Sequence, residues 1–234
     1  MNEKIQLFCF PYAGGSADFF TVIEKDLPEL QLIKLEYAGH GTRYREAFYP
    51  SFQELTDDIF QQLKTSYKDG RYALFGYSMG SITLVEILKR IIQENMTLPI
   101  CVFLAAHEPH SKKELLSYTE NELDEWVIQR TVSFGAVPEK LFNNKTFWRI
   151  YLPRYRADYA IIGRYEFEKL DLNTSVPAVF FYSESDTPLT EMKNWETFFQ
   201  GEVSWHRLEG NHFFILEHHQ EMARTIMDKL EIII

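Results

Sequence analysis

Residues 76 to 80 read Gly-Tyr-Ser-Met-Gly. The apolar run Tyr72-Ala73-Leu74-Phe75 precedes them, and apolar residues at helical spacing come after: Ile82, Val85, Ile87, Leu88 and Ile91. Gly-x-Ser-x-Gly arises by chance in roughly one chain in ten of this length, so the flanks carry the argument. The first flank has the pattern of a buried strand and the second that of a helix. A strand that feeds directly into a helix needs a tight turn, and a Cβ at position 76 or 80 would clash inside it. Ser78 is therefore expected strained and exposed at the carboxyl end of its strand. A helix starting near Met79 aims its free N–H groups and positive dipole end at the same spot. This is the arrangement of a nucleophile elbow; the plainer reading is a serine in an ordinary strand–helix turn.

The rest of the chain fits around that turn. Gln6–Phe10, Leu32–Tyr37 and Ile100–Ala105 read as further buried strands ahead of one long interruption, and Ala178–Tyr182 and Val203–Leu208 come after it. Pro11-Tyr12-Ala13-Gly14-Gly15-Ser16 ends the first strand with turn chemistry, Gly14 and Gly15 allow positive φ and close backbone approach, and Ser16 or Asp18 is a candidate cap for the next helix. Ser51-Phe52-Gln53-Glu54 is a capping box that opens a helix to about Tyr67. Strands alternating with helices predict a mostly parallel sheet flanked by helices. From about 107 to 170 the strand pattern is absent. A second capping box at Thr119–Glu122 and an aromatic- and arginine-rich helix, which Pro153 is expected to kink or divide, predict a helical lid inserted over the strand ends.

The 234 residues, 45% of them hydrophobic, suffice for one α/β domain spanning 1–234. A net charge of −10 argues against nucleic-acid binding. No apolar run approaches the roughly 20 residues of a bilayer span, and a soluble cytoplasmic protein is expected. Cys9 and Cys101 lie in apolar runs and read as buried, reduced thiols. Nothing in their setting suggests a disulfide or a zinc site. Against the overall sign, residues 140 to 164 hold six bases (Lys140, Lys145, Arg149, Arg154, Arg156, Arg164) and one acid, Asp158. A solvated helix face accounts for this bias, and a docking patch is the other reading.

In an open α/β sheet, functional groups gather where loops leave the carboxyl ends of strands. Ser78, Asp186 and His212 all lie at such places, in the chain order of the α/β-hydrolase fold. A serine hydroxyl needs an imidazole to take its proton, and the imidazole needs a carboxylate to fix its tautomer. Of the other histidines, His206 lies in a strand and His218 and His219 in the last helix. His107 and His110 form a weakly supported metal pair. His40 is expected near the site without a role in proton transfer. Glu184 is the fallback for Asp186. Oxyanion donors are expected from the backbone N–H of Met79 and from the first loop, at Tyr12 or, next, Ala13.

Phe10-Pro11-Tyr12-Ala13-Gly14-Gly15, Gly76–Gly80, Leu152-Pro153-Arg154-Tyr155-Arg156-Ala157-Asp158 and Gly210-Asn211-His212-Phe213-Phe214 together resemble the type II thioesterases that accompany nonribosomal peptide and polyketide synthetases. Three positions depart from that pattern: Tyr77 stands where His is usual, Asn211 where a second Gly is usual, and Ala38 where Pro is usual. The resemblance implies a monomeric hydrolase that requires no metal or organic cofactor. Its substrate is an acyl or aminoacyl thioester on the phosphopantetheine arm of an acyl or peptidyl carrier protein, and its task is to clear misloaded carriers. It places Tyr77, His40 and Arg156 in the substrate or lid vicinity, with pairing of Arg156 to Asp158 as the alternative role. A carboxylesterase or acyl-CoA thioesterase on small free substrates shares the same three groups, and a hydrolase-fold binding module without turnover is the reading from another class.

Overall fold

The computed structural model describes residues 4–109, 119–135 and 137–232. Six described strands form one sheet: β1 (Gln6–Phe10), β2 (Gln31–Lys34), β3 (Tyr72–Tyr77), β4 (Val102–Ala105), β5 (Ala178–Tyr182) and β6 (Val203–Arg207). Their order is β2-β1-β3-β4-β5-β6, and every neighbouring pair is parallel. Parallel strands buried on both faces need apolar residues throughout, which is why β1, β3, β4 and β5 are fully buried along their length. Alternation splits them between two cores. Phe8, Phe10 and Leu74 face α2 (Phe52–Ser66) and α3 (Met79–Gln93), while Leu7, Cys9, Ala73 and Phe75 face the short α1 (Thr21–Glu24) and α7 (Ile215–Ile232). Cys9 and Cys101 are buried free thiols, and burial pushes Cys101 up to about 12.

The long interruption between β4 and β5 is helical where it is described: α4 (Glu120–Ser133), with its capping box formed in both directions by Thr119 and Glu122, and α5 (Lys145–Ile162). The 3₁₀ turns Glu139–Leu141 and Phe167–Lys169 add to these, and α6 (Leu189–Met192) with a 3₁₀ turn links β5 to β6. Pro153 neither divides α5 nor ends it. The stripe Trp148, Tyr155, Tyr159, Ile162 is buried, and its packing outweighs the one backbone bond that proline removes. Residues 110–118, including His110 of the conceivable metal pair, lie outside the described residues.

Three local expectations are corrected. β2 ends at Lys34, not Tyr37, because Glu36 and Tyr37 turn their side chains to bind neighbouring loops. Ser16 makes no side-chain cap; its carbonyl accepts the Phe19 N–H, and the Ala17 N–H donates to Glu36 Oε1 at 3.0 Å. Gly15 has no positive φ, and what it supplies is space, since a Cβ there would meet the Tyr12 ring. Gly14 does take φ +77°. Among the described residues no helix is long and apolar enough to cross a membrane, and no group of three or more His, Cys, Asp or Glu side chains is placed to hold a metal.

Candidate active site

Ser78 caps α3 at φ 55°, ψ −118°, a left-handed backbone that a non-glycine residue enters only under strain of about 1–3 kcal/mol. Packing on both sides enforces it. A Cβ on Gly76 would strike the Gly80 carbonyl, and one on Gly80 would strike the Phe10 carbonyl. The β3–α3 turn is thereby pressed against the end of β1, with Ser78 N–H held by the Ala105 carbonyl at 2.8 Å. Ser81 Oγ, one turn further, donates to the carbonyls of Gly76 and Ala105 and fixes the start of the helix.

His212 comes from the loop after β6 and Asp186 from the loop after β5. His212 Nδ1 lies 2.8 Å from Asp186 Oδ2, and its Nε2 lies 2.9 Å from Ser78 Oγ. A carboxylate only accepts, so the proton sits on Nδ1 and Nε2 is free to accept from the serine hydroxyl. The three side chains are nearly inaccessible. Glu184 is exposed and makes no contact with the ring among the described residues. Ser183 Oγ ties the β5 loop to the β6 loop through the Gly210 carbonyl at 2.6 Å, so the acid and the imidazole are positioned together.

The first loop runs beside Ser78. Tyr12 and Ala13 line the same cavity as Ser78 and His212. The Gly14 N–H is engaged, at 2.6 Å to Asp158 Oδ2. α4 and α5 close the space above. Thr131, Phe134, Tyr155 and Tyr159 line a cavity with room for no more than about one water molecule. Phe134 stacks on the His212 ring at 3.9 Å and 14°, and the Arg130 guanidinium lies over the far face of Phe134 at 4.1 Å.

Other expected site residues are placed differently. Tyr77 is fully buried beneath the histidine loop and does not line the cavity; its hydroxyl donates to the His212 carbonyl at 2.7 Å, and burial raises its pKa well above the ordinary value. Arg156 does not pair with Asp158. Its Nε lies 2.8 Å from Asp124 Oδ1 across α4 and α5, without the N–H aligned for a good hydrogen bond. Asp158 instead reaches the other way, to Gly14 and to His40. Asn211, in place of glycine, accepts the Phe213 N–H at 2.8 Å. Phe134 and the loop-binding role of Asp158 are not apparent from the sequence. Only the Leu-Pro…Arg-Ala-Asp segment signals that something near 158 is constrained.

A model of the thioesterase domain family matches residues 5–230. The chain belongs to the thioesterase domain family. It is a thioester hydrolase of the serine type, and its sheet and flanking helices are those of the α/β-hydrolase fold. Among family relatives, the gramicidin S biosynthesis protein GrsT of Aneurinibacillus migulanus is 26% identical, over 99% of this chain and 91% of its own. The medium-chain S-acyl fatty acid synthase thioesterase of Rattus norvegicus is 28% identical, over 92% and 83%. Among solved structures, ClbQ from the colibactin NRPS/PKS pathway superposes with a TM-score of 0.88 at 27% identity, covering 99% of this thioesterase chain and 98% of its own.

Proposed function

We propose that Ser78, His212 and Asp186 are the catalytic triad of a thioesterase that removes acyl or aminoacyl groups from the phosphopantetheine arm of carrier proteins in nonribosomal peptide or polyketide synthesis, clearing misloaded carriers. The observation that carries the reading is the Ser78–His212–Asp186 relay at 2.9 and 2.8 Å on a strained elbow. Ser78 Oγ adds to the thioester carbonyl as His212 Nε2 takes its proton. The tetrahedral oxyanion is held by the N–H of Met79 and that of Tyr12 or Ala13. Collapse expels the carrier thiolate, which takes the proton from His212. A water then repeats the sequence on the acyl-enzyme and releases the acid. The pathway and the carrier come from the relatives, which include GrsT and the thioesterase PikA5 of Streptomyces venezuelae.

Residues 107 to 170 serve as the lid of this single domain, because the cavity beneath α4 and α5 is too small for an acyl chain and its arm. The outer face of α5 is the carrier's docking surface. Ile150 and Tyr151 are 51% and 36% exposed there. Lys145 and Arg149 beside them, and Arg154 over the Tyr151 ring at 5.2 Å, have no carboxylate partner among the described residues. An apolar centre with a basic rim on an acidic protein suits an acidic partner.

The test compares acyl-carrier, acyl-CoA and p-nitrophenyl ester hydrolysis by the wild type and by Ser78→Ala, with fluorophosphonate labelling of the serine. Expected are preference for the acyl-carrier, covalent labelling at Ser78, and a loss of about 10⁴- to 10⁶-fold in the variant. Turnover by folded Ser78→Ala within about tenfold of wild type sinks the triad. Equal rates on carrier-bound and free thioesters sink the carrier.

A further inference from the structure

The proposed mechanism uses one buried histidine, and the fold contains a second that it does not use. His40 and Asp158 are 1% and 3% exposed in their side chains, and their facing atoms, Nε2 and Oδ2, are 3.0 Å apart. The other ring nitrogen, Nδ1, lies 2.9 Å from the Ala38 carbonyl. A carbonyl only accepts, so Nδ1 carries a proton. With Asp158 ionised, its oxygen, which also accepts the Gly14 N–H, requires a second proton on Nε2. With acceptors at both nitrogens the ring is an imidazolium. His212 differs, since one of its nitrogens faces a hydroxyl that donates.

The pair sits where the lid meets the oxyanion loop. That loop is tethered at three points. Tyr37 hydroxyl donates to the Pro11 carbonyl at 3.1 Å, and Glu36 Oε1 accepts the Ala17 N–H at 3.0 Å. Both of these come from the segment after β2. Asp158 alone comes from the lid, from the same α5 whose Tyr155 and Tyr159 line the Ser78 cavity. α5 lies flush on the loop, so that a Cβ on Gly14 would run into the Tyr155 ring. Two of the three tethers therefore stay when α5 lifts, and the one on Gly14, next to Ala13, goes with it.

We propose that His40 and Asp158 are positioning residues: a buried imidazolium–carboxylate clamp that sets the oxyanion loop when the lid helix is seated, coupling lid closure to completion of the catalytic site. The charges facing His40 are Asp158 and Arg154 from α5 and Glu36 from the segment after β2. Burial disfavours the charged ring, and Asp158 together with the Ala38 carbonyl more than offsets it, so the pKa stands above its ordinary 6.5. A raised value in the closed state means that the clamp is fully formed below 6.5 and is lost as pH rises through the raised value. Deprotonated Nε2 would face the carboxylate lone pair to lone pair.

The inference rests on the proposed triad, but its tests separate the two. Asp158→Asn, Asp158→Ala, His40→Ala and His40→Gln are assayed on a short-chain acyl thioester of N-acetylcysteamine, and the histidine ring nitrogens are titrated by NMR. Asp158→Ala should lower kcat by about 10- to 100-fold, somewhat less than the loss of an oxyanion donor itself, with KM within about threefold. His40→Gln offers Asp158 an uncharged N–H. It should restore kcat to within about threefold of wild type and abolish the alkaline fall due to His40. In the wild type the His40 ring should titrate above 6.5, and in Asp158→Asn it should fall. A His40 ring that titrates at or below 6.5 overturns the clamp even if no variant folds. So does a folded Asp158→Ala or Asp158→Asn with wild-type kcat, or a kcat loss that tracks the unfolded fraction alone. If Ser78→Ala retains turnover, the triad has failed, and the His40 titration still reads the clamp.

Discussion

Tyr77→Phe isolates one atom of the support beneath His212. The ring of Tyr77 is fully buried, 5.5 Å from Phe214 and stacked with Phe213 at 6.4 Å and 15°, and phenylalanine preserves both contacts. What is lost is the 2.7 Å hydrogen bond to the His212 carbonyl, which leaves that carbonyl buried without its described donor, together with the long 3.5 Å bond the hydroxyl accepts from the Ile215 N–H. An orphaned buried acceptor costs about 1–3 kcal/mol. For a domain of this size each kcal/mol lowers Tm by about 2–4 °C, so the expected fall is about 2–12 °C. The same carbonyl belongs to the residue whose ring must stay aligned with both Ser78 and Asp186. A 1 Å misplacement costs up to about 10²-fold in rate, and a fall of about tenfold in kcat is expected with KM little changed. Calorimetry and steady-state kinetics on a small thioester measure both. A variant that melts within about 1 °C of wild type and keeps kcat within about twofold would refute the claim that this hydroxyl positions the histidine.

Asp186→Asn should lower kcat by about 10⁴-fold, because the amide stabilises the wrong imidazole tautomer, while Glu184→Gln is silent; the reverse pattern in steady-state assays assigns the acid to Glu184. Gly76→Ala should lower Tm by several degrees and abolish fluorophosphonate labelling, since the new methyl meets the Gly80 carbonyl, which belongs to backbone and cannot swing away; unchanged melting and labelling contradict this. Charge reversal of Lys145 and Arg149 should raise KM for an acyl-carrier at low salt and leave a small neutral ester unaffected, whereas an equal loss on both substrates means that the face supports the fold. Amides of α4 and α5 should exchange faster than those of β1 and β3, as a lid that opens requires; core-like protection throughout α4 and α5 argues against opening.

Local pattern was enough for the elements and for the three groups of the relay. The Gly76–Gly80 turn, the continuous apolar runs, the Ser51 cap, whose box stays half formed, and the Thr119 capping box each act within a few residues. The sheet rule then places every strand's carboxyl end at one edge, where Ser78, Asp186 and His212 fall. Even Pro153, the strongest local breaker in α5, was overruled by a buried stripe whose partners lie far away in the chain. Which side chains bind across loops was decided only by the tertiary structure. Asp158 lies 144 residues from Gly14 and 118 from His40, and nothing near position 158 distinguishes a carboxylate that pairs with Arg156 from one that turns to the loop after β1. Tyr77 is 135 residues from the carbonyl it holds. The physical reason is the range of the forces involved. Helix and strand propensities and turn sterics are set by covalent neighbours. A buried hydrogen bond or ion pair is set by whichever group the packed core delivers within 3 Å, and that distance does not exist until the chain has folded.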